Sequence, residues 1–205
     1  MWVEIVLDRD ETVPDRPFTD PAHTEEDERK LQRLLDLERT RAHAWAGDAS
    51  ARRNLIIRDF DRNGFRHLLV VPEPQALVAA ESPTVVGFFG RPRADAEVPL
   101  LFELEEELVA RMAEAEELLS YYDVELVKGA YGNLILFASP EGPRKWRENA
   151  VHSRAVEISP ASYHEIRLHH GAIDGAFLEG GELRVMRTRY IDYRDREPWY
   201  AVRSR

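Results

Sequence analysis

Between residues 84 and 169, four segments with the two-residue apolar period of β-strands are interrupted by two segments with a helical period. The strand segments are 84–90, 123–127, 133–138 and 163–169, and the helical segments are 99–119 and about 143–156. The second and third strands are joined by a short connection whose Gly129 and Gly132 allow positive φ, which predicts a hairpin. The order strand, helix, strand, strand, helix, strand restricts the chain to few folds, because it places both helices on one face of an antiparallel sheet.

The helix predicted at 99–119 has one apolar face and one strongly acidic face. We interpret the acidic face as solvated surface, since charge runs of this kind usually face water. The apolar positions have regular helical spacing and are Leu101, Leu104, Leu108, Met112, Ala115 and Leu119.

The first 80 residues predict a strand at 2–7, a helix and a hairpin. Thr24 is a good N-cap for the helix, which we expect to end before Gly47. The hairpin strands are 54–58 and 67–71, joined by a turn that contains Asn63 and Gly64. At the other end of the chain, strands at 176–178 and 183–193 predict a final hairpin that turns on Gly180 and Gly181.

The predicted fold class is therefore α+β. It consists of a ferredoxin-like βαββαβ unit with an antiparallel sheet, an extra C-terminal hairpin and an N-terminal β-α-β-β segment. Pro72, Pro74 and Pro83 predict a boundary near residue 80, which separates an N-terminal segment at 1–80 from the unit at 81–205. The N-terminal segment can be interpreted as a degenerate half-repeat that lacks its second helix.

In this order of elements, about 85 residues of the chain resemble the dimeric α+β barrel superfamily, which includes the antibiotic-biosynthesis monooxygenases and the chlorite dismutase-like proteins. The resemblance implies that two such sheets lie face to face, either across a homodimer or between two repeats of one chain. It also implies a cavity between the sheets.

Composition limits the classes of partner. A formal net charge of −10 argues against a protein built around the phosphates of nucleic acid. The sequence has no apolar run of the length of a membrane span and no basic, apolar start typical of a signal peptide, so we expect a soluble, cytoplasmic protein without membrane contact. There is no cysteine, which excludes thiolate ligands and a cysteine nucleophile. No metal site is predicted.

The strongest candidate site lies on the strand at 163–169. Alternation places Tyr163, Glu165, Arg167 and His169 on one face, opposite the face of Ile166 and Leu168 that should meet the helices. An arginine beside a histidine can bind a carboxylate or enolate, while the tyrosine or the glutamate relays a proton. The alternative is that the four side chains are simply exposed to solvent or lie in a dimer interface.

A second cluster of cations and aromatics lies on the helix near residue 150. It contains Arg144, Trp146, Arg147, His152 and Arg154. In one continuous helix, His152 would lie about 120° from Trp146, so the two should not share a contact surface. We keep His152 as a candidate ligand-binding residue.

No cofactor is predicted from the residues themselves. The resemblance to chlorite dismutase-like proteins implies haem as an alternative, with His152, His169 or His170 as its axial ligand. The leading functional expectation is a homodimer that binds a small anionic or aromatic molecule in a sheet-lined cavity. A non-catalytic dimeric accessory protein is the alternative, and a haem-binding or cofactor-free oxygenase-like enzyme is the third. The sequence names no catalytic residue and does not decide whether the protein is an enzyme.

Overall fold

A computed structural model describes residues 4–46, 53–96 and 98–205. Trp2, Val3 and Gly47, which the sequence analysis assigned to the first strand and to the end of the first helix, lie outside these ranges. The strands are β1 (Ile5–Val6), β2 (Leu55–Phe60), β3 (Arg66–Val71), β4 (Thr84–Pro92), β5 (Leu118–Glu125), β6 (Tyr131–Phe137), β7 (Tyr163–Ile173), β8 (Leu183–Asp192) and β9 (Trp199–Ser204). The helices are α1 (Pro21–His43), α2 (Pro74–Val78), α3 (Val98–Arg111), α4 (Gly142–Arg147) and α5 (Ala150–Ser162).

The strands form one sheet in the order β1-β9-β8-β7-β4-β6-β5-β3-β2. All neighbours are antiparallel except β1 and β9, which are parallel. The predicted α+β class is confirmed, and the sheet is larger than predicted. It is larger because strands from both sides of the predicted boundary pair with each other, β3 with β5 and β1 with β9.

Helices cover both faces of the sheet, and the alternation along β3 shows how the core divides. Leu68 and Val70 pack in a cluster with Leu108 of α3 and with Met112, which directly follows α3. We call this side of the sheet the α3 face. Leu69 and Val71 pack on the opposite side with the leucines of α1, and we call this side the α1 face. Each fully buried leucine contributes about 1.5–3 kcal/mol, which fixes the register because a one-residue slip would exchange the two faces.

Helix α1 begins earlier than predicted. Asp20 is its N-cap, with the side chain accepting a hydrogen bond from the Ala22 amide, and Pro21 is the first helical residue. Thr24 is therefore not the cap. It lies inside the helix, is buried, and its hydroxyl shares a hydrogen bond of 3.0 Å with the Tyr190 hydroxyl. None of the described helices is both long and apolar enough to cross a bilayer.

Two predicted helices end differently from expectation. Helix α3 stops at Arg111, a 3₁₀ turn follows, and Glu117 with φ 68° reverses the chain, so that Leu119 belongs to β5 instead of the helix. The helix predicted to reach residue 156 is two helices, α4 and α5. They are separated because the Asn149 side chain accepts hydrogen bonds from the amides of Val151 and His152, which starts a new helix.

The predicted final hairpin is also displaced. Residues Phe177–Glu179 form a 3₁₀ turn and not a strand, because Phe177 is fully buried under α1 and the Arg39 guanidinium binds its carbonyl oxygen at 2.6 Å. The C-terminal antiparallel pairs are instead β7 with β8 and β8 with β9. The segment at the boundary predicted near residue 80 contains the short helix α2, whose Leu77 is buried in the core.

Candidate functional site

Two of the predicted site residues on β7, Arg167 and His169, are brought together by the carboxylate of Asp27 on α1. The Arg167 guanidinium donates to both oxygens of Asp27, with Nε 2.6 Å from Oδ2 and Nη2 3.1 Å from Oδ1. The His169 Nε2 lies 3.1 Å from the same Oδ2, and its Nδ1 lies 2.9 Å from the Thr188 hydroxyl. These four side chains tie α1 to β7 and β8.

Burial explains the protonation states of this group. His169 is fully buried, which lowers the pKa of its imidazole and keeps the ring neutral. Burial alone would raise the pKa of Asp27, but hydrogen bonds from His169 and Arg167 lower it below its ordinary value. The neutral ring therefore donates from Nε2 to the carboxylate and accepts from Thr188 at Nδ1. Because both nitrogens are engaged, neither is free as an axial ligand of haem.

The other three predicted site residues lie elsewhere. Glu165 pairs with Arg91 at 3.0 Å. Tyr163 was expected to share a face with Arg167, but its ring packs edge-on against Phe88 on the α3 face, with centroids 5.5 Å apart. It can do so because Gly90 has no side chain: a Cβ at Gly90 would lie 2.6 Å from the tyrosine ring.

His152 also departs from the sequence analysis. Its ring contacts that of Trp146, with centroids 5.7 Å apart, although the phase of one continuous helix had kept them separate. The expectation was wrong because the chain breaks at Asn149 and α5 starts with its own phase. Burial lowers the pKa of His152 to about 4, with the charge of Arg147 as a second cause. Its buried Nδ1 has no hydrogen-bond partner among the described residues.

A cavity of about 120 Å³ lies between α3 and the α3 face of the sheet. We call it the acid-pair cleft. Strand alternation directs its lining to one side, because Asn133 lies directly opposite both Asp123 on β5 and Phe88 on β4. Five aromatic rings line it, and they are Phe88, Phe102, Tyr121, Tyr131 and Tyr163.

Arg66, Glu105 and Asp123 form the polar centre of the cleft. The Arg66 guanidinium binds Glu105 through both terminal nitrogens, at 2.6 and 3.0 Å, and Asp123 through Nη2 at 2.9 Å. The Asn133 amide donates to the second oxygen of Asp123 at 3.0 Å and to the Tyr121 hydroxyl at 3.1 Å. One guanidinium thus holds two carboxylates next to each other, and an amide fixes the orientation of one of them.

The environment makes Asp123 a weak acid. Its side chain is 5% exposed, and burial together with the neighbouring charge of Glu105 raises the pKa of Asp123 to about 7. Burial also raises the pKa of the phenols of Tyr121, Tyr131 and Tyr163, which keeps them protonated. A carboxyl group that exchanges its proton near neutral pH can serve as a general acid or base.

Comparisons of the chain with protein-family models, curated proteins and solved structures found no match. Among the described residues, no group of three or more histidine, aspartate or glutamate side chains is placed to hold a metal ion.

Tyr163 is the one predicted site residue that lines the acid-pair cleft. Glu105 was not predicted as a site residue, because it belongs to the acidic side of α3 that was interpreted as solvated, but its side chain is only 13% exposed. Tyr121 and Asp123, which lie two residues apart on β5, were not predicted as site residues either. Strand alternation along β5 and β6 was the available signal, since Tyr131 and Asn133 are spaced in the same way.

Proposed function

We propose that the protein binds a small organic molecule in the acid-pair cleft, with the carboxyl groups of Asp123 and Glu105 as its polar anchor. The buried Asp123 carboxyl, with its pKa near 7 under aromatic rings, is the observation that carries the proposal. Titratable groups with shifted pKa values cluster at functional sites, because the burial and the neighbouring charges that prepare such a site for binding or proton transfer also shift the pKa values of its side chains. The size of the cavity favours a ligand of few atoms, since drug-sized ligands need about 300–1,000 Å³.

The position of the cleft supports the same proposal. Its polar groups come from β3, β5, β6 and α3, which are regular elements that hold side chains more firmly than loops do. By contrast, the pair of Arg167 and His169 is covered by α1 and bound to Asp27. That pair stabilises the contact between helix and sheet.

A screen of small fragments by protein-observed NMR tests the proposal. We expect bound fragments to shift the resonances of Phe102 and Tyr131, and we expect Glu105→Gln to weaken the binding of those fragments. Glu106→Gln is the matched control, because Glu106 is the next residue on α3 and pairs with Arg58 on the outside. Hits that fall only at other surfaces, or that survive Glu105→Gln unchanged, would contradict the proposal.

We further propose that β4, α3, β5, β6, α5 and β7 form the predicted ferredoxin-like unit. Two observations support it: the strands lie in the order β7-β4-β6-β5 with antiparallel neighbours, and α3 and α5 contact each other on one face. Membership of the dimeric α+β barrel superfamily stays a prediction. In this chain α1 occupies the face on which that resemblance implies a second sheet.

A homodimer is the second candidate, and one observation favours it. Strand β2 ends the sheet, and its Ile56 and Phe60 are 41% and 68% exposed. Exposed edge strands pair readily with another chain. The mass in solution, measured by light scattering for the wild type and for Phe60→Lys, tests this. A haem ligand at His152 or His170 is likewise a prediction, and the absorption spectrum of the purified protein tests it by its Soret band.

A further inference from the structure

The lining of the acid-pair cleft indicates the charge of its ligand. Two carboxyl groups face one cation there: Glu105 from α3, Asp123 from β5 and Arg66 from β3. The remaining ionisable groups of the lining are the phenols of three tyrosines from β5, β6 and β7, and these stay neutral. Without a proton on the acid pair, the cleft therefore carries one net negative charge.

The lining of this cleft offers an anion no unpaired cation. Both terminal nitrogens of Arg66 are already bound to carboxylates, Nη1 to Glu105 and Nη2 to Glu105 and Asp123. An anionic ligand would have to displace one of them while facing the charge of the other. The sequence had favoured an anionic or aromatic ligand, and the charges of the cleft favour the opposite sign.

Aromatic walls add a second attraction for a cation. Ring faces carry negative charge, and an ammonium or guanidinium group within about 6 Å of a ring centroid is attracted to it. Arg66 already makes such a contact, with its guanidinium carbon 5.2 Å from the centre of the Phe102 ring. Four further rings surround the same cavity.

Resting on the proposed function, we propose that the ligand is a small organic ammonium ion, held by the Asp123 and Glu105 carboxylates and flanked by the aromatic rings of the lining. The ammonium ion takes the place of the proton on the acid pair. Its binding therefore releases a proton, and its affinity rises with pH as Asp123 ionises.

Three probes of nearly equal shape separate charge from shape. They are choline, which is cationic, 3,3-dimethylbutan-1-ol, which is its neutral analogue, and 3,3-dimethylbutanoate, which is anionic. By calorimetry and NMR titration at pH 8, we expect choline to bind about tenfold more tightly than the alcohol, the ratio that desolvated cation–π and charge contacts give. The anion should not bind, and choline should bind more weakly at pH 6.

Variants connect this selectivity to the cleft. We expect Asp123→Asn and Glu105→Gln to lose the preference for choline over the alcohol. We expect Phe102→Leu to lower the affinity for choline several-fold. Phe102 is 40% exposed, so that its substitution leaves the core intact. Glu106→Gln should bind choline as the wild type does.

The outcomes distinguish this inference from the proposed function. If the alcohol or the anion binds as tightly as choline and shifts the resonances of the cleft, the ammonium class is wrong and the cleft remains a binding site. If none of the three probes shifts those resonances, the ammonium inference is overturned, and the fragment screen decides the proposed function by itself. Choline binding that Glu105→Gln and Phe102→Leu leave unchanged would overturn the assignment to this cleft.

Discussion

Glu38 on α1 gives the most direct test of how burial controls charge in this protein. Its side chain is fully buried against the sheet, and neither carboxylate oxygen has a hydrogen-bond partner among the described residues. Burial raises the pKa of Glu38 from its ordinary 4.5 to about 7, although the positive charges of Arg39 and Arg41 favour the charged form. The folded protein therefore keeps a proton on Glu38 at pH values where the unfolded chain has lost it.

The sign of the pH dependence follows from that difference. Between about pH 4.5 and 7 the folded state binds more protons than the unfolded state, so the free energy of unfolding falls as pH rises. At 1.36 kcal/mol per pH unit, ionising Glu38 costs about 3 kcal/mol once pH exceeds 7. Glu38→Gln carries no charge at any pH. Relative to the wild type, it should gain about 3 kcal/mol between pH 4.5 and pH 8.

Thermal unfolding of both proteins at pH 4.5, 6 and 8 measures this gain. For a chain of this length, 1 kcal/mol corresponds to roughly 2–4 °C in Tm, so the difference in Tm between variant and wild type should increase by roughly 10 °C. Glu25→Gln, an exposed position on the same helix, is the control and should show no such trend. A difference in Tm that is constant from pH 4.5 to 8 would refute the reasoning, whatever its sign.

Three further predictions concern stability and protonation. Asp27→Ala leaves the buried imidazole of His169 and the half-buried guanidinium of Arg167 without their acceptor and should cost about 3–5 kcal/mol in urea unfolding; a loss below 1 kcal/mol would show that this network does not hold the helix on the sheet. The imidazole of His152, with its pKa near 4, should remain neutral at pH 5.5 in NMR spectra. The stability it contributes is complete above about pH 6.5 and falls as pH drops toward 4, whereas a midpoint near 6.5 would contradict its burial. Gly171→Ala should be among the most destabilising single changes, because the new Cβ would lie 2.0 Å from the Arg184 carbonyl oxygen, which is fixed in the sheet. Gly64→Ala, in a loop with open space, should cost only about 1–2 kcal/mol for its positive φ, and equal losses for the two variants would rule out the steric explanation.

The period of apolar residues was enough to predict those helices and strands whose conformation is determined by their local sequence. The β2 and β3 hairpin, β4, β6 and most of β7 were found, because alternating apolar residues and turn glycines act locally. Leu119 shows where apolar periodicity fails to distinguish a helix from a strand. It continues the helical spacing of Leu108 and Met112, but it also fits a strand, and the chain reversal at Glu117 carries no glycine that would have marked it.

Most of the candidate site could not be predicted from the sequence, because the ambiguity at Leu119 hid the start of β5. Because Leu119 was assigned to a helix, the strand was expected to begin at residue 123, and the paired positions Tyr121 and Asp123 were not recognised. Asn149 was a readable N-cap signal that the sequence analysis passed over. The contact between Asp27 and Arg167 joins residues that are far apart in sequence, and no local pattern announces such a pair.

The parallel pairing of β1 with β9 has a consequence for biosynthesis. Ile5 pairs with Ala201, and the Arg203 guanidinium, two residues further along, binds the carbonyl oxygens of Asp8 and Glu11. On the ribosome, β1 is translated before the other described strands and has no partner until almost two hundred later residues have been translated. We therefore expect β1 to dock after the central strands have formed, and to become protected from proteolysis in nascent chains only once β9 has left the ribosome.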